Sequence, residues 1–224
     1  VIGAGRAFPG KAGIFAGDKI AGFPTGSQPH STEVWFRAAQ PNASVVGWGN
    51  EQRQGKMVLQ YRSPSHVRTD CYFSAGNVAS RPFPAGEWVH VMHVYTGEGA
   101  KVYVNGEPAE LPAGRSGPMN VTSPARLWIG GWYHNYDYVG DIDEVRVSKV
   151  ARSAAWAKLS YANQRPEQRL HGLLTPGGAG APSVTPAARP SSDWKVSKVA
   201  PTLIARASNN TQRGGRAASR HAIH

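Results

Sequence analysis

The stretch EWVHVMHVY, residues 87–95, is the clearest β-strand signal in this chain. Its valines favour extended backbone, and a strand points successive side chains to opposite faces. The two faces then carry Val89, Val91, His93 and Tyr95 on one side and Trp88, His90, Met92 and Val94 on the other. His90 and His93 are predicted to face opposite ways, so they do not form a zinc-binding pair on this strand.

The next segment, KVYVNGEPAE at residues 101–110, adds the strongest turn signal. Asn105-Gly106 follows a β-rich run, and a type I′ hairpin turn needs positive φ at both central residues, which Asn and Gly tolerate. Other short alternating segments are separated by turn residues, and the chain contains 26 Gly and 17 Pro. These segments are STEVWFRAAQ, ASVVGWGN, KMVLQYRS, TDCYFSAG, ARLWIGGW and DIDEVRVS. Many short strands with frequent turns predict an all-β sandwich.

One helix is predicted after these strands, in SAAWAKLSYANQ at residues 153–164. Trp156, Leu159 and Ala162 recur at helical spacing. Ser153 precedes the run and is suited to cap the helix N-terminus.

The composition changes near residue 165. Residues 166–224 are rich in Pro, Ala, Gly and Arg, and they carry 8 Lys+Arg but only 2 Asp+Glu of a chain whose net charge is +11. Such a segment buries too little apolar surface to offset the entropy of ordering, so we predict a disordered basic tail. The predicted domains are a sandwich at 1–165 and this low-complexity tail at 166–224. Within the tail, DWKVSKVAPTLIA is the stretch that could form a strand.

Several classes of protein are disfavoured by composition. The single cysteine, Cys71, excludes an internal disulfide and a cysteine-based zinc site, and its apolar surroundings predict a buried side chain. No run of 18 apolar residues is present, so no membrane span is predicted. Arg213, Arg216 and Arg220 could contact phosphates, but no aromatic platform or nucleic-acid motif accompanies them, so no specific nucleic-acid partner is expected.

The order of these elements resembles the laminin-G-like domains of the concanavalin A-like lectin and glucanase group, common in bacterial surface and secreted proteins. The matching pieces are EVWFRA, GEWVHVMHVY, KVYVNGE, RLWIGG and VGDIDEVRVSKVARS, in that order over roughly residues 8–165. The resemblance implies a jelly-roll of two antiparallel sheets. It also implies a secreted or cell-envelope location within a larger parent protein.

Catalysis is not expected. Glucanases with this fold place two carboxylates about 5–5.5 Å apart for a retaining mechanism, along a Glu-x-Asp-x-Glu strand motif that is missing here. In DIDEV, Asp141 and Asp143 share a face, and Glu144 points the other way if the strand is regular. No G-x-S-x-G motif supports a serine hydrolase either.

Calcium is a candidate ligand of this domain, because the resemblance implies one structural Ca²⁺ where the first and last strands meet. It would place the ion at Asp143, on the closing strand, and at Asp18, in FAGDKI. Calcium prefers several oxygen ligands, so carboxylates at these positions have suitable chemistry. The alternative is that Asp143 and Glu144 bind backbone amides and Arg146 and so stabilise the sheet.

Aromatic residues crowd the loop before the closing strand, in GGWYHNYDY at 130–138. Exposed aromatic faces stack on sugar rings, so this loop is a candidate carbohydrate site formed by Trp132, Tyr133, His134 and Tyr136. The alternative is that these rings, with Tyr138, cover the edge of the sandwich. The expected function is therefore a non-catalytic recognition or adhesion module that binds polysaccharide or glycoprotein. The alternative is a structural spacer, or a domain that contacts other proteins or other domains of its parent chain.

Overall fold

The computed structural model describes residues 5–11, 13–64, 66–71, 78–110, 118–133, 135–165 and 202–205. Two antiparallel sheets and one helix are formed by these residues, which confirms the predicted jelly-roll sandwich with a short C-terminal helix. The larger sheet has seven strands, in the spatial order β1 (Arg6–Pro9), β12 (Val139–Ser148), β3 (His30–Ala38), β8 (Val89–Tyr95), β9 (Ala100–Val104) and β10 (Glu107–Pro108), with β13 (Thr202–Ala205) also paired to β12. The smaller sheet has six strands, in the order β2 (Ile14–Ile20), β11 (Ala125–Ile129), β4 (Ala43–Gly49), β5 (Lys56–Ser63), β6 (His66–Asp70) and β7 (Val78–Ser80).

The main core lies between the two sheets. Alternating side chains of β3, Val34 and Phe36, meet Trp48 and Leu59 from the smaller sheet, and all four are fully buried. The predicted faces of β8 are confirmed, because Val89 and Val91 join this core while Met92 and Val94 belong to a separate cluster. Cys71 is buried, as predicted.

The Asn105-Gly106 turn joins β9 to β10, and both residues have positive φ, 51° and 80°. The Asn105 side-chain oxygen accepts a hydrogen bond from the His90 amide at 2.9 Å, which ties the turn to β8. A Cβ at position 106 would lie 3.0 Å from the Cα of Lys158. Glycine therefore serves the turn and also allows the helix backbone to approach.

Strand β12 departs from the regular strand assumed for DIDEV. The register shifts between Asp143 and Arg146, and Glu144 has a positive φ of 52°. This bulge brings the Glu144 carboxylate to the Arg146 guanidinium, while Ile142 and Val145 both stay in the core. The alternation predicted for a regular strand is corrected at Glu144 for this reason.

Strand β13 gives four residues of the predicted tail a defined structure. Thr202–Ala205 pair with Val145–Ser148 of β12, and Arg6–Pro9 pair with the preceding part of the same strand. These residues end DWKVSKVAPTLIA, the stretch of the tail that could form a strand, and the edge of β12 supplies their hydrogen-bond partners. Disorder of the tail stays a prediction. The rest of 166–224 lies outside the described residues.

Helix α1 (Ala154–Gln164) covers part of the outer face of the seven-stranded sheet. Ser153 caps it as predicted, its side chain accepting from the Trp156 amide. The buried face consists of Ala157, Ser160 and Gln164, whereas Trp156 and Leu159 are exposed. Small and polar residues face the sheet because large and charged side chains, including Trp35 and Glu33, already occupy its surface. No helix among the described residues is long and apolar enough to span a membrane.

Candidate functional site

A pocket of about 400 Å³ opens where α1 meets the outer face of the seven-stranded sheet. Its walls come from β3, from the segment before β8 and from the end of α1. They comprise Trp35, Arg37, Gly86, Glu87, Trp88, Tyr161 and Arg165. We call this cavity the α1 pocket.

Trp35 forms the floor of the α1 pocket. Its indole is buried and donates a hydrogen bond of 2.6 Å from Nε1 to the side-chain oxygen of Gln164. The Tyr161 ring stacks on Trp35 with centroids 5.6 Å apart. Residues three apart on α1 thus hold one strand side chain, which fixes the floor and one aromatic wall together.

His90 lies beside this floor, with its ring 5.3 Å from that of Trp35. It is fully buried, and burial lowers the pKa of its imidazole to about 3, with the charge of Arg146 as a smaller cause. His90 is therefore neutral at physiological pH and contributes packing rather than charge to the pocket.

Trp88 forms the opposite wall. The Arg37 guanidinium lies 5.6 Å from the centre of a Trp88 ring, and Arg37 also forms an ion pair of 2.7 Å with Asp141. On the other side, a Cβ at Gly5 would fall 2.5 Å from the Trp88 ring. Trp88 is thus held between a cation and a glycine backbone, and it remains partly accessible from the pocket.

The remaining charged groups of the pocket are Arg165 and Glu87. The Arg165 guanidinium lies 6.0 Å from the centre of the Tyr161 ring. Its Nε is buried and has no hydrogen-bond partner among the described residues. The pocket therefore combines aromatic walls with polar groups, an arrangement that fits a small polar ligand with apolar faces.

The helix is fastened to the sheet beneath the pocket by an ionic cluster. Arg146 contacts the carboxylates of Glu33, at 2.6 Å, and of Glu144, and the Ser160 hydroxyl donates to Glu33 at 3.2 Å. Both carboxylates therefore form ion pairs with the same guanidinium, and these ion pairs stabilise the packing of α1 on the sheet. Among residues lining the pocket, Glu87 is the one carboxylate.

The predicted aromatic loop lies elsewhere, on the outer face of the six-stranded sheet. Trp132 is only 4% exposed, packs with Val58 and Trp128, and donates from Nε1 to Glu51. A Cβ at Gly47 would lie 2.4 Å from its ring, so the indole rests directly on the strand backbone. Trp132 therefore packs against the sheet, and ligand binding by Trp132 stays a prediction.

The other aromatic residues of the loop differ in how far they are exposed. Tyr133 is partly exposed and stacks on Trp128, with Arg126 4.6 Å from its ring centre. Tyr136 is 51% exposed. Tyr138 is buried in the main core, and the predicted ligand residue His134 lies outside the described residues. Ligand binding by Tyr133, His134 and Tyr136 stays a prediction.

The two predicted calcium ligands are not brought together in one strand pair. Asp18 is exposed on β2 of the six-stranded sheet, whereas Asp143 lies on β12 of the seven-stranded sheet. The Asp143 Oδ1 accepts a hydrogen bond from the Glu144 amide at 2.9 Å. The described residues contain no group of three or more His, Cys, Asp or Glu that could hold a metal ion. Asp18 and Asp143 thus lie on different sheets, and calcium binding at these two residues stays a prediction.

Sequence reasoning did not identify the α1 pocket. Its walls lie far apart along the chain, and Trp35 and Gln164 are separated by 129 positions. The available signals were three aromatic residues that lie far apart in the sequence, Trp35 within β3, Trp88 just before β8 and Tyr161 within α1.

Comparison with known proteins agrees with this fold. Residues 11–158 match the model of the laminin-G family described as the concanavalin A-like lectin/glucanases superfamily, so the chain belongs to this superfamily. A comparison with curated protein sequences found no match.

Solved structures show the same fold at low sequence identity. Domain 4 of an extracellular arabinanase from Geobacillus stearothermophilus, solved in complex with arabinotriose, is 18% identical with a TM-score of 0.53, covering 70% of this chain and 76% of that one. A pentraxin from Limulus polyphemus is 15% identical with a TM-score of 0.52, covering 70% and 81%.

Proposed function

We propose that this domain is a non-catalytic carbohydrate-binding module of a larger secreted or cell-envelope protein, and that the α1 pocket is its glycan site. The observation that carries the proposal is the combination of two accessible aromatic walls, Trp88 and Tyr161, with charged groups at the rim. Aromatic faces bind the apolar face of a sugar ring, and polar groups bind its hydroxyls.

The size of the pocket supports this proposal. About 400 Å³ falls within the range of roughly 300–1,000 Å³ that is usual for small-ligand sites. The walls are also preformed, because Trp35 and Tyr161 stack on each other and Trp88 packs directly against Gly5. A preformed site loses less conformational entropy on binding.

The charges of the pocket favour binding over hydrolysis. A retaining or inverting glycosidase needs two carboxylates beside one sugar linkage. Glu87 lines the pocket, but Asp141 is paired with Arg37, and Glu33 and Glu144 are paired with Arg146. This supports a module that holds a glycan for its parent protein.

Affinity electrophoresis through gels that contain single polysaccharides, both neutral and acidic, tests the proposal. The full chain should be retarded by at least one glycan, and Trp88→Ala should abolish that retardation while the protein stays folded by circular dichroism. Trp156→Ala is the matched control, because it removes a tryptophan that is exposed on α1 but does not line the pocket. Equal loss in both variants would count against the α1 pocket.

No retardation by any glycan would favour the alternative, a spacer or protein-contact domain. A separate measurement addresses calcium: the melting temperature is compared in calcium and in chelator. If calcium raises it, the Asp143→Asn variant shows whether this residue takes part.

A further inference from the structure

We propose that the α1 pocket binds a sugar residue that carries a carboxylate, and that Arg165 is the residue that binds this group. This inference rests on the proposed function and adds the class of glycan, acidic rather than neutral.

The first argument is the balance of charge in the pocket. Arg37 is already neutralised by Asp141, through hydrogen bonds of 2.7 and 2.9 Å. Arg165 has no carboxylate partner among the described residues, and its buried Nε makes no hydrogen bond with them. A buried donor without a partner costs free energy, so an acceptor on the ligand would be stabilised there.

The second argument is geometry. Arg165 follows directly on the last residue of α1, and its backbone amide donates to the Tyr161 carbonyl at 3.2 Å. Its guanidinium lies near the Tyr161 ring, so one ligand can contact both. A planar guanidinium matches a carboxylate through two parallel hydrogen bonds, while the part of the Tyr161 ring that lines the pocket contacts the sugar ring that carries it.

The third argument concerns the remaining groups. Glu87 also lines the pocket, and as a carboxylate it accepts hydrogen bonds from hydroxyls but repels anions. Arg165, which has no carboxylate partner among the described residues, carries one positive charge that a single carboxylate balances, while Glu87 accepts hydrogen bonds from hydroxyls. A uronic acid has this chemistry, whereas a phosphate group carries more charge than Arg165 alone balances.

The test compares acidic and neutral glycans that share a backbone. We would measure binding of the full chain to polygalacturonate and to the same polymer fully methyl-esterified, with alginate, hyaluronate, xylan and galactan as further probes. Isothermal titration at fixed physiological salt is suitable, because a chain of net charge +11 attracts polyanions without specificity at low salt. At least one carboxylated polymer should bind, and where its ester exists the ester should bind at least about tenfold more weakly.

Two variants then separate a specific contact from general attraction. Arg165→Gln should weaken acidic binding about tenfold or more, the usual range for a charged hydrogen bond. Arg165→Lys keeps the charge but lacks the two-pronged geometry, so it should also weaken binding. Arg53→Gln is the matched control, because Arg53 is an exposed residue of the segment between β4 and β5 and does not line the pocket.

Each result has a distinct meaning. Binding to acidic glycans that falls in Arg165→Gln but not in Arg53→Gln supports the inference. Binding to neutral glycans alone overturns it and leaves the proposed function standing. Equal losses in the two Gln variants also overturn it, since the attraction is then unspecific. Failure to bind any glycan overturns both proposals.

Discussion

The two outer faces of this sandwich carry aromatic residues in different ways. On the six-stranded sheet, Phe15 lies 4.6 Å from Trp128 between ring centroids, and Trp128 packs with Trp132 and Tyr133, so these rings pack on one another. On the seven-stranded sheet, α1 stands over Trp35 and leaves the α1 pocket beside it. The comparison shows that neighbouring aromatic rings on one sheet can pack against one another and leave no cavity between them. A cavity forms instead where a helix packs on the sheet and keeps some of the rings apart.

The largest effect that would test this comparison is expected at Trp132. Trp132→Ala removes a buried indole from its contacts with Gly47 and Val58 and leaves Glu51 without its indole donor. We expect a loss of about 3–5 kcal/mol in the free energy of unfolding, the usual range for a buried aromatic cut to alanine. Urea denaturation followed by circular dichroism measures it.

Tyr136→Ala is the control for that experiment. Tyr136 is 51% exposed in the same loop, so its removal should change stability by about 0.5 kcal/mol or less. If Trp132→Ala kept full stability but lost glycan binding, the packing role given to Trp132 would be wrong and the loop would be the site.

Low pH is expected to destabilise the fold through two buried histidines, His30 and His90. Burial lowers the pKa of His30 to about 4 and of His90 to about 3, from an ordinary value of 6.5. Below pH 6.5 the two imidazoles bind protons in the unfolded chain but not in the folded chain. The free energy of unfolding is therefore unaffected by these histidines above about pH 6.5, and it decreases as the pH falls toward 4 and 3.

The loss from His30 alone is on the order of 3 kcal/mol by pH 4, from a shift of this size. Urea midpoints measured between pH 7 and pH 4 should decrease, and His90→Gln should flatten part of the decrease. A midpoint that stays constant over this range would show that these imidazoles can be protonated in the folded state.

A smaller effect is expected where α1 is fastened to Trp35. Gln164→Ala leaves the buried Trp35 Nε1 without its acceptor, which should cost about 1–3 kcal/mol. The melting temperature should fall, and glycan binding should weaken because Tyr161 loses its fixed position over Trp35. Leu159→Ala, on the exposed face of α1, should change neither. Matching behaviour of the two variants would contradict the role given to Gln164.

Much of the fold could be predicted from the sequence because its signals are local. The alternation of β8, the Asn105-Gly106 turn and the Ser153 cap each depend on a few neighbouring residues, and each is confirmed. The bulge at Glu144 could not be predicted, since a strand pattern assumes regular backbone and does not reveal where the register shifts.

The candidate site was harder to predict than the fold. The loop around Trp132 was recognised as aromatic, but its burial depends on Gly47, a residue whose missing side chain makes room for the indole. The same limit affected α1, whose spacing of Trp156 and Leu159 indicated a helix but not which face is buried.

The class of fold, the central strand β8 and the helix follow from the sequence alone, because hydrophobic periodicity and turn chemistry act over short distances. The family follows from the resemblance of the ordered motifs. Tertiary packing sets which aromatic residues are accessible and where the α1 pocket lies. The reason is that Trp35, Trp88, Tyr161 and Arg165 meet through sheet pairing and helix packing, and these contacts join residues that are distant in the chain.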